Sequence, residues 1–157
     1  SANPDVVAHI RAFIAIGERI AQRQLGSVGI ALGAVTVVDD DRQAARHKAR
    51  QAAVLYLPVV APLDSSVQID PELTVRLQHH ADHGDFVAGA ALISDDILDR
   101  FAFSGNAHDI IAQCERLFAA GVSRIEFGTP HGLQQAVTGI DIIGRHVIPA
   151  LRASRHV

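Results

Sequence analysis

Residues 27–38 read "SVGIALGAVTVV", and this stretch decides the fold. It contains no charged residue. Small or β-branched side chains occur at both its odd and its even positions, which point to opposite faces of a strand. A strand with one solvated face alternates apolar with polar residues, whereas a strand of a parallel sheet is covered by helices on both faces. The stretch therefore predicts a parallel strand over residues 27–38 that is buried on both sides.

The segments on either side of this strand have helical spacing. Asn3 and Pro4 are typical of a helix start, and we predict a helix from Pro4 to about Gln24. Residues 39–57 predict a second helix, since three aspartates open it and Pro58 follows it. The apolar stripe of the first helix comprises Val6, Ile10, Phe13, Ile14, Gly17 and Ile20.

Downstream, the pattern alternates between strands and helices. Residues 101–105 and 122–127 predict two more strands, and residues 58–100 predict a helical insertion without a strand. Such alternation indicates an α/β fold with parallel strands. Three strands leave two open sheet edges, so we interpret residues 1–157 as one partial domain of a larger α/β barrel.

Composition excludes several classes of protein. The 157 residues are 48% hydrophobic and carry a formal net charge of -3, which argues against nucleic acid as the main partner. No apolar run is long enough to span a membrane, and charges interrupt the first helix, which is unlike a secretory signal. Cys114, the single cysteine, falls on the apolar face of a predicted helix and suggests a reducing compartment, so we expect a cytoplasmic protein. The absence of methionine and the start at Ser1 suggest a cut or processed terminus.

The stretch "RIEFGTPHG", residues 124–132, is the first candidate site. If the strand before it belongs to a barrel, Thr129 and His131 lie on the rim and approach substrate. The same residue types are also common in turns, so an ordinary surface turn is the other interpretation. Arg124 and Glu126 share one strand face, and if that face points into the barrel they form either a buried ion pair or a polar layer beneath the site.

The histidine-rich stretch "HHADHGD" is the second candidate. His79 and His83 have a spacing that can bind a metal, but no HExxH motif supports it, so we expect a solvated helix face and no metal. The sequence also lacks GxGxxG, P-loop, GxSxG and CxxC motifs.

Two segments resemble a known superfamily. "ISDDILDRFAFSGNAHDIIAQCERLFAAGVSRIEFGTPHG" (93–132) and "GIDIIGRHVIPAL" (139–151) resemble the C-terminal part of the luciferase-like flavin- and deazaflavin-dependent oxidoreductases. Among these, they are most similar to the coenzyme F420-dependent methylenetetrahydromethanopterin reductases. The resemblance implies an eight-stranded (β/α)8 TIM barrel, of which this chain supplies about the last three strands, and hydride transfer between reduced F420 and a one-carbon pterin carrier.

The resemblance also implies a cofactor-binding segment. Ser1, Ala2 and Asn3 match the end of the loop that lies near the cofactor phosphate, and the following helix start suits an anion. A bare helix cap is the other interpretation of Asn3 and Pro4. The catalytic residues of this family belong to the first half of the barrel, so we name none here and expect this segment alone to be inactive.

Two alternatives stay open. The cofactor is FMN if the chain belongs to a luciferase-like monooxygenase. A non-catalytic half-barrel would instead be an assembly or binding module. In either case the open sheet edges predict a homo-oligomer or pairing with the missing N-terminal half.

Overall fold

The computed structural model describes residues 1–154 and contains one parallel sheet of three strands. The strands are β1 (Ala31–Val38), β2 (Ala102–Gly105) and β3 (Arg124–His131). The prediction of three parallel strands with a helical segment between the first two is confirmed. Their order is β2-β1-β3, so the strand that decided the fold lies in the centre.

This order differs from three successive barrel strands, which would place the second strand in the middle. The chain leaves β1 over one face of the sheet, enters β2 at one edge, and returns over the other face to β3. Because the two connections use opposite faces, β2 and β3 both pair with β1.

Eight α-helices surround the sheet in the described residues. A 3₁₀ turn at Ala61–Leu63 follows the second helix, and a π-helical segment at Ile143–Val147 joins the last two. The α-helices are α1 (Val6–Ile20), α2 (Arg42–Val60), α3 (Pro71–Asp82), α4 (Phe86–Ala91), α5 (Asp95–Phe101), α6 (Ala107–Ala119), α7 (Ala136–Ile142) and α8 (Ile148–Ser154).

Two cores lie on the two faces of the sheet. Leu32, Val38 and Phe103 pack against α1, α6 and the α7–α8 helix, and the buried thiol of Cys114 belongs to this core. Val35 and Val37 pack on the other face against α2 and the short helices that follow it. The second set of helices covers only the carboxyl-terminal half of β1, so Ala31 and Gly33 remain exposed and that face is open below them.

Several predicted boundaries were wrong. The helix predicted from Pro4 begins at Val6, and β1 begins at Ala31 and not at residue 27. Helix α2 continues through Pro58, because burial of Leu57 and Ala61 outweighs the local effect of a proline one turn from the helix end.

The predicted apolar stripe of α1 is only partly buried. Phe13 is 73% exposed and Ile20 is 80% exposed, since they lie on a flank of α1 that no described element covers. No helix within residues 1–154 combines the length and apolar character needed to cross a lipid bilayer.

Candidate functional site

An open cleft lies on the face of the sheet that α2 covers only in part. It consists of two adjoining cavities of about 300 Å³ and about 240 Å³, which share Tyr56 and Thr129. The larger cavity is also lined by Lys48, Gln51, Ala52, Leu55, Phe86 and Pro130. The smaller one is also lined by Ser1, Gly33, Ala34, Val35, Val60, Phe101 and Gly128.

The floor of the cleft is backbone from β1 and β3. A Cβ atom on Gly128 would lie 2.7 Å from the carbonyl oxygen of Ala34, so only glycine allows the two strands to approach this closely. Immediately beyond, the pairing shifts: Val35 pairs with Gly128, but Val37 pairs with His131. The extra residue forms a bulge in β3, and the bulge lies next to Thr129 at the cleft.

The predicted cofactor segment lies at the far end of the smaller cavity. Ser1 lines the cavity, and its backbone nitrogen donates to the carbonyl oxygen of Gly33 across 2.7 Å. Ala2 and Asn3 are buried behind it, and the Ala2 N–H donates to the Arg100 carbonyl oxygen across 2.9 Å. The structure therefore brings Ser1 and Thr129 to one cleft, although they come from opposite ends of the chain.

Asn3 is fully engaged in hydrogen bonds. Its amide nitrogen donates to Asp64 across 3.0 Å and to the Ser66 hydroxyl across 2.8 Å, while its oxygen accepts from the Asp5 N–H across 3.1 Å. Burial opposes ionisation of Asp64, but hydrogen bonds from Ser66, Asn3 and Ser1 outweigh it and lower the pKa of the carboxyl below its ordinary value. A negative charge therefore adjoins Ser1 and Asn3.

His131 lies at the end of β3 but does not line either cavity. Its Nε2 donates to the carbonyl oxygen of Phe127 across 3.0 Å. Nδ1 is buried and has no hydrogen-bond partner among residues 1–154. The backbone of His131 has a φ of 72°, in the left-handed region.

Arg124 and Glu126 form an ion pair of 2.7 Å, as one interpretation of their spacing predicted. The expectation that this pair is buried was wrong, because the side chains are 71% and 61% exposed. They occupy the open lower part of the sheet face that α2–α5 leave uncovered.

The histidine-rich stretch lies at the end of α3, as predicted for an exposed helix face. The rings of His79 and His83 are 4.2 Å apart, and His83 Nδ1 lies 2.8 Å from the His79 carbonyl oxygen. No three metal-ligating side chains converge anywhere in residues 1–154.

Sequence reasoning missed the wall of the cleft that α2 provides. Lys48, Gln51 and Tyr56 all line the larger cavity, yet helical periodicity alone does not separate them from solvent-facing residues. Amino-acid composition could have singled out two of them, since Lys48 is the only lysine and Tyr56 the only tyrosine of the sequence.

Comparison with known proteins adds to this picture. The luciferase-like monooxygenase family model matches residues 1–124. A 5,10-methylenetetrahydromethanopterin reductase of Methanopyrus kandleri is 26% identical over 136 residues, which are 85% of this chain and 38% of the relative. The corresponding reductase of Archaeoglobus fulgidus is 30% identical over 120 residues, covering 73% of this chain and 36% of the relative.

Solved structures have the same fold. The coenzyme F420-dependent tetrahydromethanopterin reductase of Methanopyrus kandleri superposes with a TM-score of 0.78 at 25% identity, over 96% of this chain and 43% of that one. An F420-dependent secondary alcohol dehydrogenase, solved with an F420-acetone adduct, superposes with a TM-score of 0.58 at 24% identity, over 87% and 36%. The chain thus spans less than half the length of these relatives.

Proposed function

This chain belongs to the luciferase-like monooxygenase family, and we propose that it forms the C-terminal portion, as one partial-barrel domain, of a cytoplasmic coenzyme F420-dependent oxidoreductase. Its family membership confirms the resemblance drawn from the sequence. The proposed reaction is hydride transfer between reduced deazaflavin and a one-carbon pterin carrier. The observation that carries the proposal is the cleft that joins Ser1 to Thr129.

The cleft fits the flat ring system of a deazaflavin. Gly33 and Gly128 leave the floor without side chains, and Tyr56 and Phe101 supply aromatic surface at its walls. When bound, the deazaflavin supplies the hydride chemistry. The proposed cofactor segment of Ser1, Ala2 and Asn3 fits less well around a phosphate, since the Ser1 hydroxyl and the Asn3 amide already donate to the ionised Asp64.

The residues of this chain would therefore position and shield the reactants. Ser1 borders the cleft and is held by the Gly33 carbonyl oxygen, while Asn3 and Asp64 hold the segment behind it. Thr129 offers a hydroxyl to either reactant from the bulge of β3. We retain His131 as a substrate-binding candidate because its Nδ1 has no partner in the described part of the chain. Such positioning lowers the entropic cost of bringing two flat molecules face to face.

Titration of the 157-residue chain with oxidised F420 and, separately, with FMN tests the proposal. We expect saturable quenching of F420 fluorescence and no comparable effect with FMN, whose binding would favour the monooxygenase alternative. A Gly33→Leu variant serves as control, because its side chain would project from the exposed floor and should block the ring. Equal binding of F420 by this variant would contradict a site in the cleft.

Association is a second candidate function. The exposed side chains of Phe13 and Ile20 and the open edges of the sheet favour burial against another chain. Sedimentation equilibrium of the chain with and without F420 separates the two candidates. A tight dimer that does not bind F420 would favour the binding module over the oxidoreductase.

A further inference from the structure

We propose that Lys48, together with Gln51 and Thr129, forms a subsite for a phosphate or carboxylate group of the small molecule that occupies the cleft. The ligand class is a flat heterocycle that carries such an anionic group. This inference rests on the proposed function only for the identity of the ligand, since the charge and position of Lys48 are independent of the cofactor.

Lys48 differs from every neighbouring cation on α2. Arg42 pairs with Asp109 across 3.0 Å, Arg46 pairs with Asp99 across 2.6 Å, and Arg50 pairs with Asp95. Lys48 has no hydrogen bond or ion pair within residues 1–154. It is also the only lysine among 14 basic residues, all the others being arginine. Lys48 is therefore the one lysine or arginine of α2 without a counter-ion within residues 1–154, and it lines the cleft.

The surroundings of Lys48 suit a bound anion. Leu55, Tyr56 and Phe86 line the same cavity and place apolar surface beside Lys48. The amide nitrogen of Gln51 lies 3.1 Å from His47 Nε2, within the same turn of α2. Thr129 lines the same cavity from β3 and has a hydroxyl that can donate. Lysine binds phosphate and carboxylate as a compact point charge.

The opposite end of the cleft offers no unpaired positive charge to such a group. Asp64 accepts hydrogen bonds from Ser1 and Asn3, and its carboxylate also interacts with the Ser1 ammonium group, so the charges at this end offset each other. Lys48 has no such counter-ion within residues 1–154. A ligand with one flat end and one anionic end is therefore favoured with its anionic end at Lys48.

The single lysine allows a direct test on the whole chain. Reductive methylation with ¹³C-formaldehyde gives one Nε-dimethyl signal, separate from that of the terminal amine, and keeps the charge. The probes are F420, its chromophore without phosphate and glutamyl groups, FMN with riboflavin, and methylenetetrahydromethanopterin. We expect F420 to shift the Lys48 signal and the chromophore alone to leave it in place.

Substitutions provide the second measurement. Lys48→Gln should weaken F420 binding about tenfold or more, whereas Lys48→Arg should retain affinity within about threefold. Arg19→Gln removes one positive charge from an exposed site of α1 and should leave binding unchanged. Circular dichroism of each variant establishes that it is folded.

The outcomes with the different probes distinguish this inference from the proposed function. If FMN but not riboflavin shifts the Lys48 signal, and the chain does not bind F420, the subsite is supported and the proposed cofactor is refuted. A shift only with the pterin carrier supports the subsite and assigns it to substrate. If no anionic probe moves the Lys48 signal, or if Lys48→Gln binds every probe as tightly as the unaltered chain, the subsite is refuted.

Discussion

The side-chain amide of Asn3 donates to the carboxylate of Asp64 across 3.0 Å, in a buried contact between residues 61 positions apart. This contact joins the segment before α1 to the turn after α2. It explains why Ser1 borders the cleft: Asp64 also accepts from the Ser1 hydroxyl and so holds the whole segment in place. A residue predicted to cap a helix or bind a cofactor thus has a structural role as well.

Replacement of Asp64 by alanine should lower stability. Asn3, Ser66 and Ser1 would lose their common acceptor, and unpaired buried donors cost about 1 to 3 kcal/mol. Urea denaturation measures the free energy of unfolding, with Asp40→Ala at an exposed position as control. An Asp64→Ala variant as stable as that control would contradict the role of the carboxylate.

The Asp64 carboxyl should also make stability dependent on pH. Its pKa is lowered in the folded chain from the ordinary value of 3.8, so its stabilisation is complete above that value and is lost as pH falls through the folded pKa. Unfolding at pH values from 5 to about 2 measures this loss. The dependence should be weaker in Asp64→Asn, and identical slopes for both proteins would argue against it.

Glu18 should stabilise the loop between α1 and β1. Its buried carboxylate accepts from the Gly26 and Val28 N–H groups, each across 2.8 Å, and these bonds lower its pKa. Glu18→Gln should therefore destabilise the chain at neutral pH, and the difference should shrink as pH falls below 4.5 through the lowered pKa. Thermal unfolding measures it, with the exposed Glu115→Gln as control.

A methyl group at Gly128 should disrupt the sheet. The added Cβ would lie 2.7 Å from the Ala34 carbonyl oxygen, so β1 and β3 would have to separate at the floor of the cleft. We expect a loss of about 1 to 3 kcal/mol of unfolding free energy. Gly17→Ala is the matched control: its Cβ has open space within a helix and should stabilise by about 0.5 to 1 kcal/mol. Equal effects at both positions would be inconsistent with close strand contact.

Thr129 and His131 should differ in their effect on ligand binding. Thr129→Val keeps the shape of the cleft and removes a hydroxyl, so F420 or substrate should bind about three to ten times more weakly. His131→Ala should affect affinity less and stability more, because the ring is held by the Phe127 carbonyl oxygen and does not line the cleft. Calorimetric titration and thermal unfolding measure the two effects, and the reverse ranking would place His131 at the ligand.

Local sequence patterns predicted much of the fold. The uncharged stretch that became β1 indicated the central parallel strand, since charges cannot be buried there without partners. Asn106 is of a residue type that favours helix starts, and it forms a capping box with Asp109 at the start of α6. The segments 93–132 and 139–151 pointed to the family that the comparisons support.

The sequence by itself determined the class of fold, the parallel strands and the family, because each depends on residues that are neighbours along the chain. Only the tertiary structure decided the sheet order, the exposure of Arg124 and Glu126, and the cleft itself. Lys48 and Thr129 meet there because α2 packs over β1 and β3 reaches the same face. Such contacts join distant segments through packing, and the periodicity of one helix or strand does not encode them.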